Sequence, residues 1–292
     1  MSGPVEARRT LADPDLDEAL RTAGSVVVPL LAPAAARDLR DRWLRLHPSQ
    51  RVEHHEGQPP DFEGDFSNPD LAFRQASAAA IRTIAGDAAG ARFVRRRAAG
   101  HAMLVKWPTP PSAMDFDDVP AAFHVDTSFV DERGGDRSHL VWIALQDTTA
   151  EDGALQVVPG SHRIAPSLRG IDVMPDWIQH RAVFADAAVT VELRAGEALV
   201  FDTALVHRST PNLGASPRLA ATILMVPEEA PLRAMRLAPD GQIEVVAVPE
   251  AFFAEGQRED LGTLPVVDRV ERPDGAMAAD ELARRLAALG AG

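Results

Sequence analysis

Apolar residues recur at helical spacing after Pro33: Ala36, Leu39, Trp43 and Leu46 share one stripe, while Arg37, Asp38, Arg40 and Asp41 take the other side. That pattern predicts an amphipathic helix. Asn68-Pro69 supplies a cap and first turn for a second helix over about 69–85, with Leu71, Ile81 and Ile84 inward. Leu282, Leu286 and Leu289 predict a last helix over about 278–289. Between these segments the period changes to two. Residues 93–106 read as one or two strands, Val189 to Leu193 alternates, and Leu219 to Val226 forms another strand. The apolar run from Ala198 to His207 reads as a buried strand leading into a polar turn. Short strands at roughly ten-residue spacing predict a mainly β chain, a two-sheet jelly roll with helices packed outside. The expected core, a cupin-like double-stranded β-helix, covers about residues 90–228.

Three stretches lack either period. Residues 1–16, with Pro4 and Pro14, are expected to be flexible. Residues 107–120 are proline-rich and acidic, and residues 163–182 carry Met174, Pro175 and Trp177. Both of the latter are expected to act as lids over one mouth, with Asp115, Asp117, Asp118, Phe129 and Trp177 as candidate substrate contacts.

A chain of 292 residues with 46% hydrophobic content can bury a large core, and no linker divides it, so a single domain over 1–292 is expected. No apolar run approaches the roughly 18 residues of a membrane span, and the first residues lack a hydrophobic signal core, so a cytoplasmic protein is expected. The formal charge of −13 opposes a nucleic acid or anionic membrane partner, because both need a concentrated basic face. It weighs in the same direction against a polyanionic substrate such as an acyl-coenzyme A thioester, and leaves a small-molecule substrate. No oligomeric state follows from it. The chain has no cysteine, so any metal must be held by imidazole and carboxylate. It has no tyrosine either, so aromatic contacts fall to Phe, Trp and His.

One constellation fits a metal. In His124-Val125-Asp126 a strand would turn the imidazole and the carboxylate to the same face, and His207 offers a second imidazole roughly eighty residues later. Two imidazoles and one carboxylate on one face leave the opposite coordination positions open, the arrangement that non-haem Fe(II) uses to hold a cosubstrate and O2 together. Arg218, eleven positions beyond His207, adds a permanent cation whose planar fork suits a carboxylate.

With these ligands the chain resembles the phytanoyl-CoA dioxygenase family of Fe(II)/2-oxoglutarate oxygenases. Trp142 to Asp147, Gly153 and Pro159-Gly160-Ser161-His162 resemble the family's strand, acidic turn, second strand and closing turn. Gly196 to Phe201, then His207 to Asn212 and Pro217-Arg218, resemble its second ligand segment, and Gly24 to Pro33 its opening. The likeness covers about residues 17–228 and is densest over 124–226. It implies His124, Asp126 and His207 as iron ligands, Arg218 as the anchor for the distal carboxylate of 2-oxoglutarate, and Lys106, Trp142 and Ser209 around the cosubstrate. Many such enzymes carry a serine two positions after the anchoring arginine; here that position is Ala220. Related halogenases replace the carboxylate ligand with a small residue, so Asp126 implies hydroxylation. Desaturation, epimerisation or ring formation use the same cofactors. A cupin-like metal isomerase or dioxygenase without 2-oxoglutarate, a zinc hydrolase and a non-catalytic small-molecule binder are the rival expectations.

Overall fold

The computed structural model describes residues 9–46, 61–110, 123–165, 168–170, 172–255, 261–272 and 276–290. In chain order the elements are α1 (Pro14–Ala23), β1 (Ser25–Pro29), α2 (Pro33–Leu46), β2 (Phe62–Gly64), α3 (Leu71–Gly90), β3 (Arg96–Lys106), β4 (His139–Ala144), β5 (Leu155–Val157), α4 (Arg181–Ala187), β6 (Val189–Val191), β7 (Glu197–Asp202), β8 (His207–Ser209), β9 (Arg218–Pro227), β10 (Arg233–Leu237), β11 (Ile243–Ala247), α5 (Phe252–Glu255), β12 (Val266–Val270) and α6 (Ala279–Gly290).

Six strands form one antiparallel sheet in the order β1-β7-β4-β9-β3-β2, and β6-β5-β8 form a smaller one. This is the mainly β jelly-roll architecture with flanking helices that the strand pattern predicted. Strand β9 shows why it closes into layers: every residue from Arg218 to Val226 is buried, so neither face meets water. Leu219, Ala221, Ile223 and Met225 pack against Leu39, Trp43, Ile81 and Ala85 of α2 and α3. Ala220, on the other face, joins Trp142, Leu155, Val157 and Leu199 between the two sheets. Burying such side chains contributes roughly 1.5–3 kcal/mol each. Among the described residues no helix is long and apolar enough to cross a membrane.

Helix α2 buries Ala36, Leu39 and Trp43 as the stripe predicted, whereas Leu46 is exposed. The cap of α3 is Asp70 rather than Asn68: its carboxylate accepts from the backbone N–H of Ala72 at 2.9 Å and of Phe73 at 3.2 Å. Asn68 instead accepts from the N–H of Asp70, one turn upstream. Ile81 is buried, and Leu71 is exposed.

The expected flexible start is corrected from residue 10 onward. Pro14 begins α1, the Asp13 carboxylate caps it, and Asp17 accepts from the N–H groups of Thr10 and Leu11 at 2.7 and 2.8 Å. Three side-chain anchors therefore offset the missing periodicity. Beyond the expected core lies a third sheet, β10-β11-β12, whose first two strands turn through Asp240-Gly241 with Gly241 at φ 86°.

Candidate metal centre and cosubstrate cavity

His124 and His207 meet backbone to backbone. Each donates its N–H to the other's carbonyl at 2.9 Å, which places the two rings 4.3 Å apart. Oδ1 of Asp126 lies 3.9 Å from Nε2 of His124 and 3.8 Å from Nε2 of His207. These three atoms form the cluster among the described residues close enough to share one ion. Its open side faces a cavity of about 340 Å³.

The segment carrying His124 is a single bridge rather than the expected strand. The cause sits opposite it. The apolar run from 198 breaks after Asp202, where the Asp202 carbonyl and carboxylate accept from the N–H groups of Leu205 and Ala204, both at 2.8 Å. His207 therefore begins β8 instead of continuing β7. With no ladder to follow, the Asp126 N–H donates to the carbonyl of Thr203 at 2.8 Å. Val125 turns the other way, into an apolar cluster with Trp177, Phe184, Leu282 and Leu286.

His207 carries its own orientation device. Its Nδ1 lies 2.9 Å from the carbonyl of Leu205. A carbonyl oxygen only accepts, so the proton resides on Nδ1 and Nε2 presents a lone pair to the cluster, the usual outer support of a metal-bound imidazole.

Arg218 opens β9 directly across from Lys106 of β3, and both line the cavity while being only 1% exposed. Nη2 of Arg218 donates to the carbonyl of Gly153 at 2.9 Å and to Oγ of Ser209 at 3.2 Å, and its Cζ lies 4.9 Å from the centre of the Trp142 ring. Among the described residues, its Nε and Nη1 are buried without a partner. Burial pulls its pKa down to about 10, so the group is still a cation at neutral pH. A buried cation with two unused nitrogen donors is costly until an anion arrives, and this donor set fits the carboxylate of a diacid. Gly153 holds its carbonyl there at φ 80°, where a Cβ would come within 2.9 Å of Lys106 Cγ.

Lys106, besides lining the cavity, has a partner of its own. Its ammonium lies 2.7 Å from Asp61, both side chains are buried, and burial lowers its pKa against the opposing pull of that carboxylate. Trp142, Ser209 and Phe129 line the cavity as well. The expectation for Trp177 is corrected: it does not line this cavity but is 3% exposed behind Val125, its ring 5.8 Å from that of Phe184. Its packing against α6 removes it from the mouth. Asp115, Asp117 and Asp118 lie outside the described residues. Four contributors escaped the sequence reading: Asp61, Thr203, Arg169, which donates to the carbonyl of Asp126 at 3.2 Å, and Glu132, which pairs with Arg169 at 2.7 Å. None lies in a motif, and each is joined to the site only by folding.

Residues 20–220 match the family model for phytanoyl-CoA dioxygenase. The chain belongs to the phytanoyl-CoA dioxygenase family. The family is one of Fe(II)- and 2-oxoglutarate-dependent oxygenases. A phytanoyl-CoA dioxygenase of Arabidopsis thaliana is 28% identical over 133 residues, 44% of this chain and 45% of that protein. Phytanoyl-CoA dioxygenase 1 of Oryza sativa subsp. japonica is 30% identical over 92 residues, 30% of this chain and 33% of that one. The chain thus spans less than half the length of these curated relatives. Among solved structures, the carbocyclase SnoK from nogalamycin biosynthesis superposes with a TM-score of 0.54 at 19% identity, covering 92% of this chain and 97% of that one. HygX from Streptomyces hygroscopicus, with nickel, 2-oxoglutarate and hygromycin B bound, gives 0.51 at 18% identity over 74% of this chain and 88% of that one. At these identities the likeness is one of fold.

Proposed function

We propose that this protein, working as one domain in the cytoplasm, is an Fe(II)- and 2-oxoglutarate-dependent oxygenase that hydroxylates a C–H bond of a small metabolite or natural-product intermediate. One observation carries the reading. Arg218, a buried cation with two nitrogens unpartnered among the described residues, lines the same cavity as His124, Asp126 and His207. Anchoring a diacid beside the metal gives that cation its partner, whereas left buried and unpaired it would cost stability.

When bound, Fe(II) and 2-oxoglutarate would supply the oxidising power: one oxygen atom of O2 would go to the C–H substrate as hydroxyl and the other to the cosubstrate, which leaves as succinate and CO2. His124, Asp126 and His207 would hold the metal, with Asp126 contributing a negative charge and His207 a lone pair whose direction the Leu205 carbonyl sets. Arg218 would orient the diacid by its far carboxylate, and Trp142 and Ser209 hold that guanidinium in place. Asp126 fills the place that halide transfer would need empty, which supports hydroxylation. Ring formation, the activity named for SnoK, draws on the same cofactors and differs in product mass.

The test is anaerobic loading with Fe(II) and 2-oxoglutarate, then exposure to O2 with candidate metabolites while succinate and product mass are followed. Slow iron-dependent succinate formation alone, accelerated by a substrate that gains one oxygen atom, is expected. Turnover that needs no 2-oxoglutarate, or that survives chelation of iron, would contradict the proposal.

A further inference from the structure

The cavity changes character along its length, and the register of the large sheet shows how. Arg218, Ala220, Thr222 and Leu224 of β9 share the inward face. Arg218 pairs across with Lys106, Thr222 with Trp142, and Leu224 with Leu140. Leu224 therefore stands about 20 Å from Arg218 along the strand. At its end the wall is apolar: Leu224 and Leu140 pack with Phe129, and Phe66 also lines the cavity. Phe129 is held there by the Phe253 ring, 4.9 Å away and edge-on.

Every charged side chain among the described lining residues is already committed. His124, Asp126 and His207 form the metal cluster, Lys106 is paired with Asp61, and Arg218 stands at the opposite end. The hydroxyls are nearly all used as well. Thr222 donates to the Ala102 carbonyl, Thr203 is bonded to Ser138 and Arg169, and Ser209 accepts from Arg218. Thr127, beside Asp126, lines the cavity and makes no hydrogen bond with the described residues.

We infer that the prime substrate is an uncharged, largely apolar compound, seated against Leu140, Leu224 and Phe129, with one oxygen that meets the Thr127 hydroxyl. This rests on the oxygenase reading for the use of Arg218, and it departs from the acyl-coenzyme A thioester that the family's name suggests. A charged or phosphorylated substrate would strand its charges against an apolar wall, in a chain whose net charge is −13. An apolar compound gains by leaving water there.

The experiment is calorimetric titration of the full chain with 2-naphthol, 2-naphthoate and coenzyme A, each with and without Mn(II) plus 2-oxoglutarate. With Mn(II) and 2-oxoglutarate present, naphthol is expected to bind at least tenfold more tightly than naphthoate or coenzyme A. Phe129→Ala should weaken it severalfold while 2-oxoglutarate affinity stays unchanged, and Thr127→Val should weaken naphthol while leaving its advantage over coenzyme A. With Mn(II) and 2-oxoglutarate present, equal or tighter binding of either anion, or no measurable binding of naphthol, would overturn the inference. Naphthol preference in a protein that fails to bind 2-oxoglutarate would retain the apolar site and defeat the oxygenase reading instead.

Discussion

Arg169 and Glu132 form a two-armed ion pair, 2.7 and 2.9 Å, with both side chains wholly buried. The same guanidinium donates from Nε to the backbone carbonyl of Asp126 and from Nη2 to Oγ1 of Thr203, each at 3.2 Å. Thr203 in turn accepts from the N–H of Asp126. Asp126 lies outside any strand, so this pair, rather than a sheet ladder, fixes its backbone. Arg137 and Ser128 also donate to Glu132, at 2.9 and 3.0 Å.

Arg169→Met should therefore do two things. It leaves part of a buried carboxylate unpaired, at a cost of roughly 3–5 kcal/mol in urea unfolding. It should also weaken Mn(II) binding by about 10–100-fold, as loss of outer support does at metal sites. Unchanged metal affinity in a folded variant would remove the proposed control over Asp126.

Lys106 and Asp61 give a different expectation. Their 2.7 Å pair is buried on both sides, so each single change, Lys106→Met or Asp61→Asn, strands a partner. The double variant should be more stable than the two single losses add up to, with a coupling of about 2 kcal/mol in a double-mutant cycle. Strict additivity would mean that Lys106 is not committed to Asp61 and is free for a bound diacid.

Asp65 supplies a pH dependence. Burial raises its pKa from 3.8 to about 7, against the lowering effect of the Ser77 hydroxyl and of the backbone N–H groups of Met103 and Phe66. The folded chain keeps this proton up to about pH 7, whereas the unfolded chain releases it near 3.8. Its contribution is full below the unfolded value and is lost as pH rises through the folded one, roughly 4 kcal/mol across that window. Asp65→Asn should thus gain on the native chain between pH 5 and pH 8 in paired urea unfolding curves. A difference that does not change with pH would refute the raised pKa.

What was legible in the chain follows from range. The apolar run in 219–226 and the stripe Ala36, Leu39, Trp43 are local, and a local pattern survives folding. His124, Asp126, His207 and Arg218 were legible because their chemical types and order form a pattern, and the structure lines one cavity with all four. The break at 203–206 was not, because it contains no Gly, Pro or Asn, and its turn is made by the Asp202 carboxylate. Trp177 was misplaced since its neighbour Leu282 lies about a hundred positions away and no spacing announces it. Arg169 and Glu132, 37 positions apart, escaped for the same reason. The α1 start, by contrast, was open to reading, because Asp13-Pro14 is a cap followed by a first-turn proline.

The most direct test of the account is anaerobic calorimetry of 2-oxoglutarate added to protein loaded with Mn(II), for the native chain, Asp126→Ala and Arg218→Met. One molecule should bind per chain only when metal is present. Asp126→Ala should lose the metal-dependent part, and Arg218→Met should weaken binding by about 100-fold, the worth of one or two charge-assisted hydrogen bonds. Binding that ignores the metal, or an affinity unchanged in Arg218→Met, would contradict it.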